Sequence, residues 1–289
     1  PKDAPITFSY SKPPVSFRFP LPVSREIFRL VPVLVLLVSV TVLRGGNHSV
    51  YLKSDGTLMA MGQNTYGQLG DGTTTDRSSP LQVVDSLGNP LSGVAGSSSG
   101  FNHTVYLKSD GTVWAVGRNT DGQLGDGTTT DRSTPVPVLD LSGNALNGVV
   151  GVSSGESHTV FLKSDGTVWA TGYNAFGQLG DGTTTDRLYP VQVTYAGGFA
   201  LTGIVGVSAF GNHTVFLKKD GTVWTVGKNY YGQLGDGTTT DRSNPVQVVD
   251  AVEAPLSSVV SVSGGSYHSV FLKSDGSVWA VGRNDHGQL

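Results

Sequence analysis

The sequence predicts an all-β protein assembled from repeats of about 55 residues, and three observations carry this prediction. The string GQLGDGTTTDR recurs from Gly67, Gly122, Gly177 and Gly232, four positions spaced 55 residues apart. The 289 residues include 40 Gly and only 14% charged residues, and no stretch sustains apolar residues at helical spacing. Evenly repeated segments of this length stack as small supersecondary units, so we expect several short strands in every repeat.

A fifth copy of the string begins at Gly287 and stops after GQL, and the chain starts at Pro1 rather than at Met. We therefore expect an internal fragment that is truncated in its fifth repeat. Val42 aligns with Val152, so the repeats should begin near residue 38 and continue to residue 289. Residues 1–37 contain neither a DGT turn nor a GQLGDG string, and we interpret them as a non-repeat leader or linker.

Each repeat contains four predicted strands, which are clearest in the third copy. Residues 148–154 (GVVGVSS) form a β-branched run that predicts the first strand. Residues 158–172 predict a hairpin of the second and third strands, because Asp165-Gly166 supplies a turn between two β-prone runs. Residues 190–193 (PVQV) predict a fourth strand that begins at its proline, since proline suits a strand start.

A four-stranded unit cannot bury both of its faces alone, but radial stacking against neighbouring units buries both, which is the architecture of a β-propeller. Large apolar side chains are then expected between the blades. One repeat position carries an aromatic residue in nearly every copy, as such packing requires. This column consists of Trp114, Trp169, Trp224 and Trp279, with Met59 in the first copy.

The repeats resemble those of the regulator of chromosome condensation family, whose blades carry a His-Thr pair, a DG turn, a VWAxGxN strand and GQLGDG. The resemblance covers about residues 38–289, and the recurring DGTTTDRSTPV is similar to the bacterial style of these repeats. Family propellers usually have seven blades, so the resemblance implies a partial β-propeller with about five repeats. Such a fragment exposes apolar faces and strand edges, and we expect it to self-associate when isolated.

Two repeated polar features are interpreted as structural. The GQLGDG string uses glycine for tight backbone turns, and its Asp and Thr side chains are of the kind that cap turns. It lacks the alternating oxygen ligands and final Glu of a calcium loop, so we expect neither a metal nor a cofactor. The second feature is a histidine column that we expect to hydrogen bond to a neighbouring loop rather than to catalyse a reaction. Its members are His48, His103, His158, His213 and His268.

An enzyme is not expected, because the sequence shows no catalytic constellation. Glu26, Glu156 and Glu253 are the only glutamates, and there is no Cys nucleophile, no G-x-S-x-G elbow and no P-loop. The absence of Cys also excludes disulfides and thiolate zinc sites. A net charge of −3 disfavours a nucleic-acid partner. The apolar run at residues 30–43 is shorter than a typical membrane span and contains a proline, so no membrane span is expected.

Positions that differ between the copies identify candidate binding residues, because a common scaffold requires identity whereas a binding surface does not. Two variable clusters lie at strand ends that should share one face of the propeller, and a third lies around residues 188–189. The alternative is that exposed loops drift freely, but Tyr, Phe and Arg are typical of protein interfaces. The candidate partner-binding residues are Phe101, Arg118, Tyr173, Phe176, Lys228, Tyr230, Tyr231 and Tyr267.

The resemblance implies a function exerted by protein contact. The family's nuclear founder is a guanine-nucleotide exchange factor that also contacts chromatin, and a secreted member grips β-lactamases through one propeller face. We expect a non-enzymatic protein-interaction scaffold whose protein partner the sequence does not identify. The alternative is an exchange factor for a small GTPase, although an inserted wedge and a basic chromatin arm are absent. The low charge and the absence of Cys favour the cell exterior or cell surface, but the sequence assigns no compartment.

Overall fold

The computed structural model describes residues 41–44, 46–53 and 56–289. These residues form five antiparallel sheets, and the strands of each sheet follow one another in chain order. The predicted leader or linker at residues 1–37 lies outside the described residues. The all-β class, the period of about 55 residues and the four-stranded unit are confirmed.

Each sheet is one blade, and its strands are numbered here in chain order. Blade one contains β1 (Thr41–Arg44), β2 (His48–Leu52), β3 (Leu58–Gly62) and β4 (Arg77–Gln82). Blade two contains β5 (Val94–Ser99), β6 (His103–Lys108), β7 (Val113–Gly117) and β8 (Arg132–Pro137). Blade three contains β9 (Val149–Ser154), β10 (His158–Lys163), β11 (Val168–Gly172) and β12 (Arg187–Gln192). Blade four contains β13 (Ile204–Phe210), β14 (His213–Lys218), β15 (Val223–Gly227) and β16 (Arg242–Gln247), and blade five contains β17 (Val259–Gly264), β18 (His268–Lys273) and β19 (Val278–Gly282).

The predicted hairpin is confirmed, whereas the predicted start of the fourth strand is wrong. In blade three, β10 pairs with β11 through Leu162 and Val168, and Gly166 in the turn has a φ of 78°. The fourth strand β12 begins at Arg187, three residues before Pro190. Proline is tolerated inside this strand because β12 is the last strand of its sheet and pairs on one side only.

The second strand is buried on both faces in blades two, three and four, because neighbouring blades cover both sides. In blade two, Tyr106 packs into a core shared with blade one, whereas its neighbour Val105 packs into a core shared with blade three. Successive side chains of a strand point to opposite faces, so this alternation distributes the apolar residues between two cores. The chain therefore has a separate core between each pair of successive blades rather than one central core.

The fully buried aromatic column is the cross-strand partner of the tryptophan column. Tyr106 and Trp114 are directly paired, and Tyr106 is fully buried whereas Trp114 is half-buried. As predicted, the tryptophan column packs at equivalent positions between blades at Trp114, Trp169 and Trp224. Lys108 Nζ lies 4.6 Å above the Trp114 ring. Trp279, in blade five, is 38% exposed. The buried column consists of Tyr106, Phe161, Phe216 and Phe271.

The histidine column joins successive blades, which confirms its structural interpretation and changes the expected partner. His48 Nε2 lies 2.9 Å from Thr104 Oγ1 of the next blade, and Thr104 Oγ1 donates to the Gln68 carbonyl at 2.8 Å. Because the hydroxyl proton is used by that carbonyl, Nε2 must carry a hydrogen and donate it to Thr104. The partner is a hydroxyl group on a neighbouring strand and not a loop. The same pairing links His103 to Thr159, His158 to Thr214 and His213 to Ser269.

The GQLGDG loop is organised around a buried asparagine. In blade two, Asn119 Nδ2 donates to Asp126 Oδ1 at 2.9 Å and to the Thr128 carbonyl at 3.0 Å. Asn119 Oδ1 accepts a hydrogen bond from the Leu124 backbone N–H at 3.0 Å. Arg132 forms an ion pair with the other oxygen of Asp126 at 2.7 Å. The Asp and Thr residues of the string therefore shape the loop, as the turn-capping interpretation predicts.

Replacing Asn119 with alanine should lower the free energy of unfolding by about 2–4 kcal/mol, because several buried groups lose their partners at once. Denaturant unfolding of the two proteins measures this difference. Thr130→Ala is the matched control in the same loop, since the Thr130 side chain is exposed. Equal unfolding midpoints for Asn119→Ala and Thr130→Ala would contradict the organising role of Asn119.

The first glycine of the loop brings neighbouring blades into close contact. Gly67 has a φ of 80°, and a Cβ atom built there would lie 2.7 Å from the Arg132 carbonyl oxygen of the next blade. No other residue type fits both conditions. Gly122 and Gly177 make the same close approach to the next blade, so the recurring loop supplies both a tight turn and a contact between blades.

Candidate functional site

The first two variable clusters lie on one face of the blades, as predicted. The strands of each blade are antiparallel, so the connection from the first to the second strand and the connection from the third to the fourth strand emerge at the same end. We call this end the variable face. The third cluster, including Leu188 and Tyr189, lies within the outer strand β12 and not on these connections.

One kind of contact recurs between adjacent blades on the variable face. The residue that follows the third strand of one blade lies over an aromatic ring in the preceding blade. Arg118 lies 5.7 Å from the Tyr66 ring, and Lys228 lies 4.5 Å from the Phe176 ring. Arg283 Cζ lies 5.2 Å from the Tyr231 ring. The repeat geometry therefore creates sites for cation–π contacts, and the residues at each position decide whether one forms.

An aromatic–cation cluster extends over blades three to five. Tyr231 contacts Tyr230 with ring centroids 4.9 Å apart and contacts Tyr267 at 5.4 Å. Lys228 Nζ lies 5.9 Å from the Tyr267 ring, which joins this group to Phe176. The cluster is defined as Tyr173, Phe176, Lys228, Tyr230, Tyr231, Tyr267 and Arg283. It remains accessible, since Tyr230 is 69% exposed.

The structure brings six of the eight predicted residues into this cluster and places Phe101 and Arg118 elsewhere on the variable face. Phe101, which is 49% exposed, lies beside the inner ends of the blades and shares a cavity with Tyr267. Arg118 donates to Thr120 at 2.9 Å and lies 3.9 Å from Asp121. Arg118 is therefore held by its own loop, and whether any of the eight residues binds a partner stays a prediction.

The cavity lies where the connections between the first and second strands of successive blades meet. Its volume is about 340 Å³. Glu156 is the one charged residue that residues 46–53 and 56–289 contribute to its lining, and its carboxylate accepts a hydrogen bond from Asn212 Nδ2 at 3.0 Å. Two aromatic rings besides Phe101 line it, those of Phe210 and Tyr267. We call this space the axial cavity, because the first strands of successive blades are neighbours around it.

Sequence analysis missed Phe210, Glu156 and Arg283 as site residues. Phe210 occupies the repeat position that holds glycine at Gly100, Gly155 and Gly265, and the departure from glycine was the available signal. Glu156 was set aside with the other glutamates because no catalytic partner was visible. Arg283 belongs to a variable position, but its contact with Tyr231 depends on the packing of two blades.

The side of the variable face near Tyr173 is acidic. Desolvation raises the pKa of the Tyr173 hydroxyl above its usual value, and the charges of Asp186, Asp121 and Glu156 add to the effect. Burial also raises the pKa of Asp186; a hydrogen bond from the Asn174 backbone N–H opposes this rise, and the charge of Asp121 adds a smaller contribution to it. Three carboxylates therefore act on the same region of the face.

The carboxylates of the repeated loops are engaged with the protein itself. Burial raises the pKa of Asp126, but hydrogen bonds from Thr128 and Arg132 outweigh it, so the net pKa lies below the usual value. Within residues 46–53 and 56–289, no three His, Asp or Glu side chains are grouped as metal ligands. Among the described residues, no helix is long and apolar enough to cross a membrane.

Comparison with known proteins places these blades among characterised propellers. The family model for the RCC1-like domain matches residues 21–289. The ultraviolet-B receptor UVR8 of Arabidopsis thaliana is 33% identical over 255 residues, which are 88% of this chain and 54% of the receptor. The human E3 ubiquitin-protein ligase HERC2 is 31% identical over 256 residues, which are 88% of this chain and 5% of the ligase. The chain thus spans about half of the receptor and a small part of the ligase.

Two solved structures share the fold. Human WBSCR16 superposes with a TM-score of 0.72 at 24% identity, covering 85% of this chain and 62% of that one. Prp20p of Saccharomyces cerevisiae superposes with a TM-score of 0.66 at 25% identity, covering 85% of this chain and 57% of that one. The blade topology, the repeat period and the match to the family model agree, and the chain belongs to the RCC1-like domain family.

Proposed function

We propose that this protein is a non-enzymatic interaction module that contacts a protein partner through its variable face. The observation that carries the proposal is the aromatic–cation cluster, which joins exposed and half-buried rings of blades three, four and five. Tyrosine, phenylalanine and arginine are enriched where protein interfaces concentrate their binding energy. The eight predicted residues are candidate contacts on this face.

The contacts within the cluster favour binding because they hold the rings in place before a partner arrives. Tyr231 is packed edge-on against both Tyr230 and Tyr267, at interplanar angles of 90° and 66°. A side chain that is already ordered loses less conformational entropy on association. The cluster is therefore suited to act as a rigid anchor, with the surrounding loop residues forming a polar rim.

The relatives support protein contact, and they differ in what they do. Prp20p was studied for its binding to Gsp1p and histones, which are protein partners. HERC2 is named as an E3 ubiquitin-protein ligase, but the match covers only 5% of it, so its activity is not transferred to this chain. The alternative function, a guanine-nucleotide exchange factor, rests on the resemblance to the family's nuclear founder. The net charge of −3 does not favour contact with chromatin.

Site-specific photo-crosslinking in cells of the source organism tests the proposal. A benzoylphenylalanine at position 230 should capture one protein repeatedly, whereas the same group at position 199 should not. Phe199 is the matched position, since it is 76% exposed and lies between β12 and β13 at the opposite end of the blades. The captured protein is then purified and its affinity for the unmodified chain is measured.

Alanine substitutions then identify the residues that carry the binding energy. We expect Tyr231→Ala or Tyr267→Ala to weaken binding by about 2 kcal/mol or more, because central aromatic anchors dominate an interface. Arg118→Ala should have little effect, since Arg118 is held by Asp121 and Thr120 outside the cluster. Phe199→Ala is the control on the opposite end.

Two results would contradict the proposal. One is an affinity that is unchanged when Tyr230, Tyr231 and Tyr267 are replaced together. The other is equal crosslinking from positions 199 and 230. If the partner is a small GTPase and the chain accelerates release of its bound GDP, the exchange-factor alternative replaces the scaffold function.

A further inference from the structure

The axial cavity collects side chains in which the repeats differ most. Four consecutive blades each contribute one such residue to its lining: Phe101 from blade two, Glu156 from blade three, Phe210 from blade four and Tyr267 from blade five. At the repeat position of Phe101 and Glu156, the other copies carry Gly46, Gly211 and Ser266. The blades have nearly identical backbones, but the side chains that these four blades contribute to the cavity differ from one blade to the next.

Glu156 makes the cavity negatively charged. Among the side chains of residues 46–53 and 56–289, its carboxylate forms no ion pair, and it accepts a hydrogen bond from Asn212 at 3.0 Å. The charges of Asp121 and Asp186 act, together with that of Glu156, on nearby Tyr173. The negative charge is therefore concentrated on the Glu156 side of the cavity, whereas Lys228 and Arg283 lie 5.9 and 5.6 Å from the Tyr267 ring on another side.

The aromatic lining favours a cation as well. Phe101, Phe210 and Tyr267 are each at least a third exposed, so their rings are available to a ligand. The face of an aromatic ring attracts a positive charge, and arginine and lysine are the protein side chains that use this attraction. The Tyr267 ring already contacts Lys228 and Arg283. The rings of Phe101 and Phe210 and the carboxylate of Glu156 surround a common space and are complementary to a guanidinium or ammonium group.

The floor of the cavity offers hydrogen-bond acceptors. Ser99 and Ser154 line the cavity, and their hydroxyl groups have no hydrogen-bond partner within the described residues. A guanidinium carries five N–H donors and an ammonium carries three, and both require acceptors when they leave water. The volume of about 340 Å³ is at the lower end for a ligand pocket, which suits one inserted side chain.

We propose that the axial cavity receives one lysine or arginine side chain presented by the protein partner. The proposal rests on the interaction function of the variable face, and it specifies the chemistry of the partner at one position. Glu156 supplies the opposite charge, the rings of Phe101 and Phe210 contact the cationic head, and Tyr267 packs against the alkyl stem. Tyr267 belongs to both the cavity and the aromatic–cation cluster, so one partner can contact both.

Short peptides test the cavity independently of the natural partner. The probes are acetylated, amidated pentapeptides with two glycines on each side of a central arginine, lysine, citrulline or norleucine. Binding is followed by NMR titration of the labelled protein. We expect the arginine and lysine peptides to shift resonances of the cavity residues and to bind at least about fivefold more tightly than their neutral counterparts.

Two variants and one control identify the residues that bind the cationic peptide. Glu156→Gln should weaken the arginine peptide about fivefold and leave the citrulline peptide unchanged, since only the charge is removed. Phe210→Gly introduces the residue that other repeats carry at this position, so the blade should still fold while one aromatic wall is lost. Glu253→Gln is the control, because Glu253 is exposed between β16 and β17 at the opposite end. Thermal melting confirms that each variant is folded.

Equal affinities for the arginine and citrulline peptides would overturn the inference, as would an arginine affinity that Glu156→Gln leaves unchanged. This failure is distinguishable from failure of the proposed function. A crosslinked partner that depends on Tyr231 but not on Glu156 would retain the interaction function and refute the cavity. Peptide binding in the cavity without any protein partner on the variable face would retain the cavity site and refute the proposed interaction function.

Discussion

Phe216→Ala should lower the free energy of unfolding by about 3–5 kcal/mol, the largest loss expected from a single substitution in this chain. Phe216 is fully buried in the core between blades three and four, where it packs with Val160, Leu179 and Val226. Removing the ring leaves a cavity between two blades, and the strands on both sides are too constrained to close it. Denaturant unfolding followed by tryptophan fluorescence measures the change.

Neighbouring substitutions show whether burial causes the effect. Trp224 is the cross-strand partner of Phe216, but it is only half-buried, so Trp224→Ala should cost less. Trp169→Ala should likewise lower folding stability before it affects binding, since Trp169 packs between blades two and three. Phe176→Ala on the variable face is the surface control. A Phe216→Ala protein that unfolds at the same denaturant concentration as the Phe176→Ala protein would refute the role of the inter-blade core.

Acidification should destabilise the protein steeply between pH 6.5 and about 4. Burial lowers the pKa of His103 and His158 to about 3, with smaller contributions from neighbouring histidines, and burial lowers that of His48 and His213 to about 4. In this pH range the unfolded chain binds protons that the folded chain does not bind. Stability is therefore fully present above pH 6.5 and is lost as the pH falls toward the folded-state values.

The slope of stability against pH gives the number of histidines involved. Complete burial of four neutral rings corresponds to as many as four protons taken up on unfolding, each worth about 1.4 kcal/mol per pH unit. His158→Gln keeps a donor near Thr214 and should reduce the proton uptake on unfolding by one proton. His286 is exposed and lies outside the column, so His286→Gln should leave the slope unchanged. Unfolding curves between pH 7 and 4 measure the slope. A stability that is constant over this range would show that the rings are not buried as neutral groups.

The sequence alone determined the repeat period, the four strands of each blade and the positions of the turns. These features depend on local preferences that recur in every copy, such as Gly166 in the hairpin turn and the β-prone residues of β10 and β11. The variable positions were also visible, because repetition within one chain makes each departure stand out. That signal was sufficient to predict six residues that the structure places in one cluster: Tyr173, Phe176, Lys228, Tyr230, Tyr231 and Tyr267.

Only the tertiary structure decided which aromatic column is fully buried, which blade each histidine contacts and which variable side chains meet. Phe161 and Trp169 have the same local pattern of neighbours, and their burial differs because adjacent blades cover one of them more completely. Phe101, Glu156, Phe210 and Tyr267 are spread over 167 residue positions, from 101 to 267, yet they line one cavity. Local sequence preferences describe one strand or turn at a time, whereas these contacts arise from the packing of blade against blade.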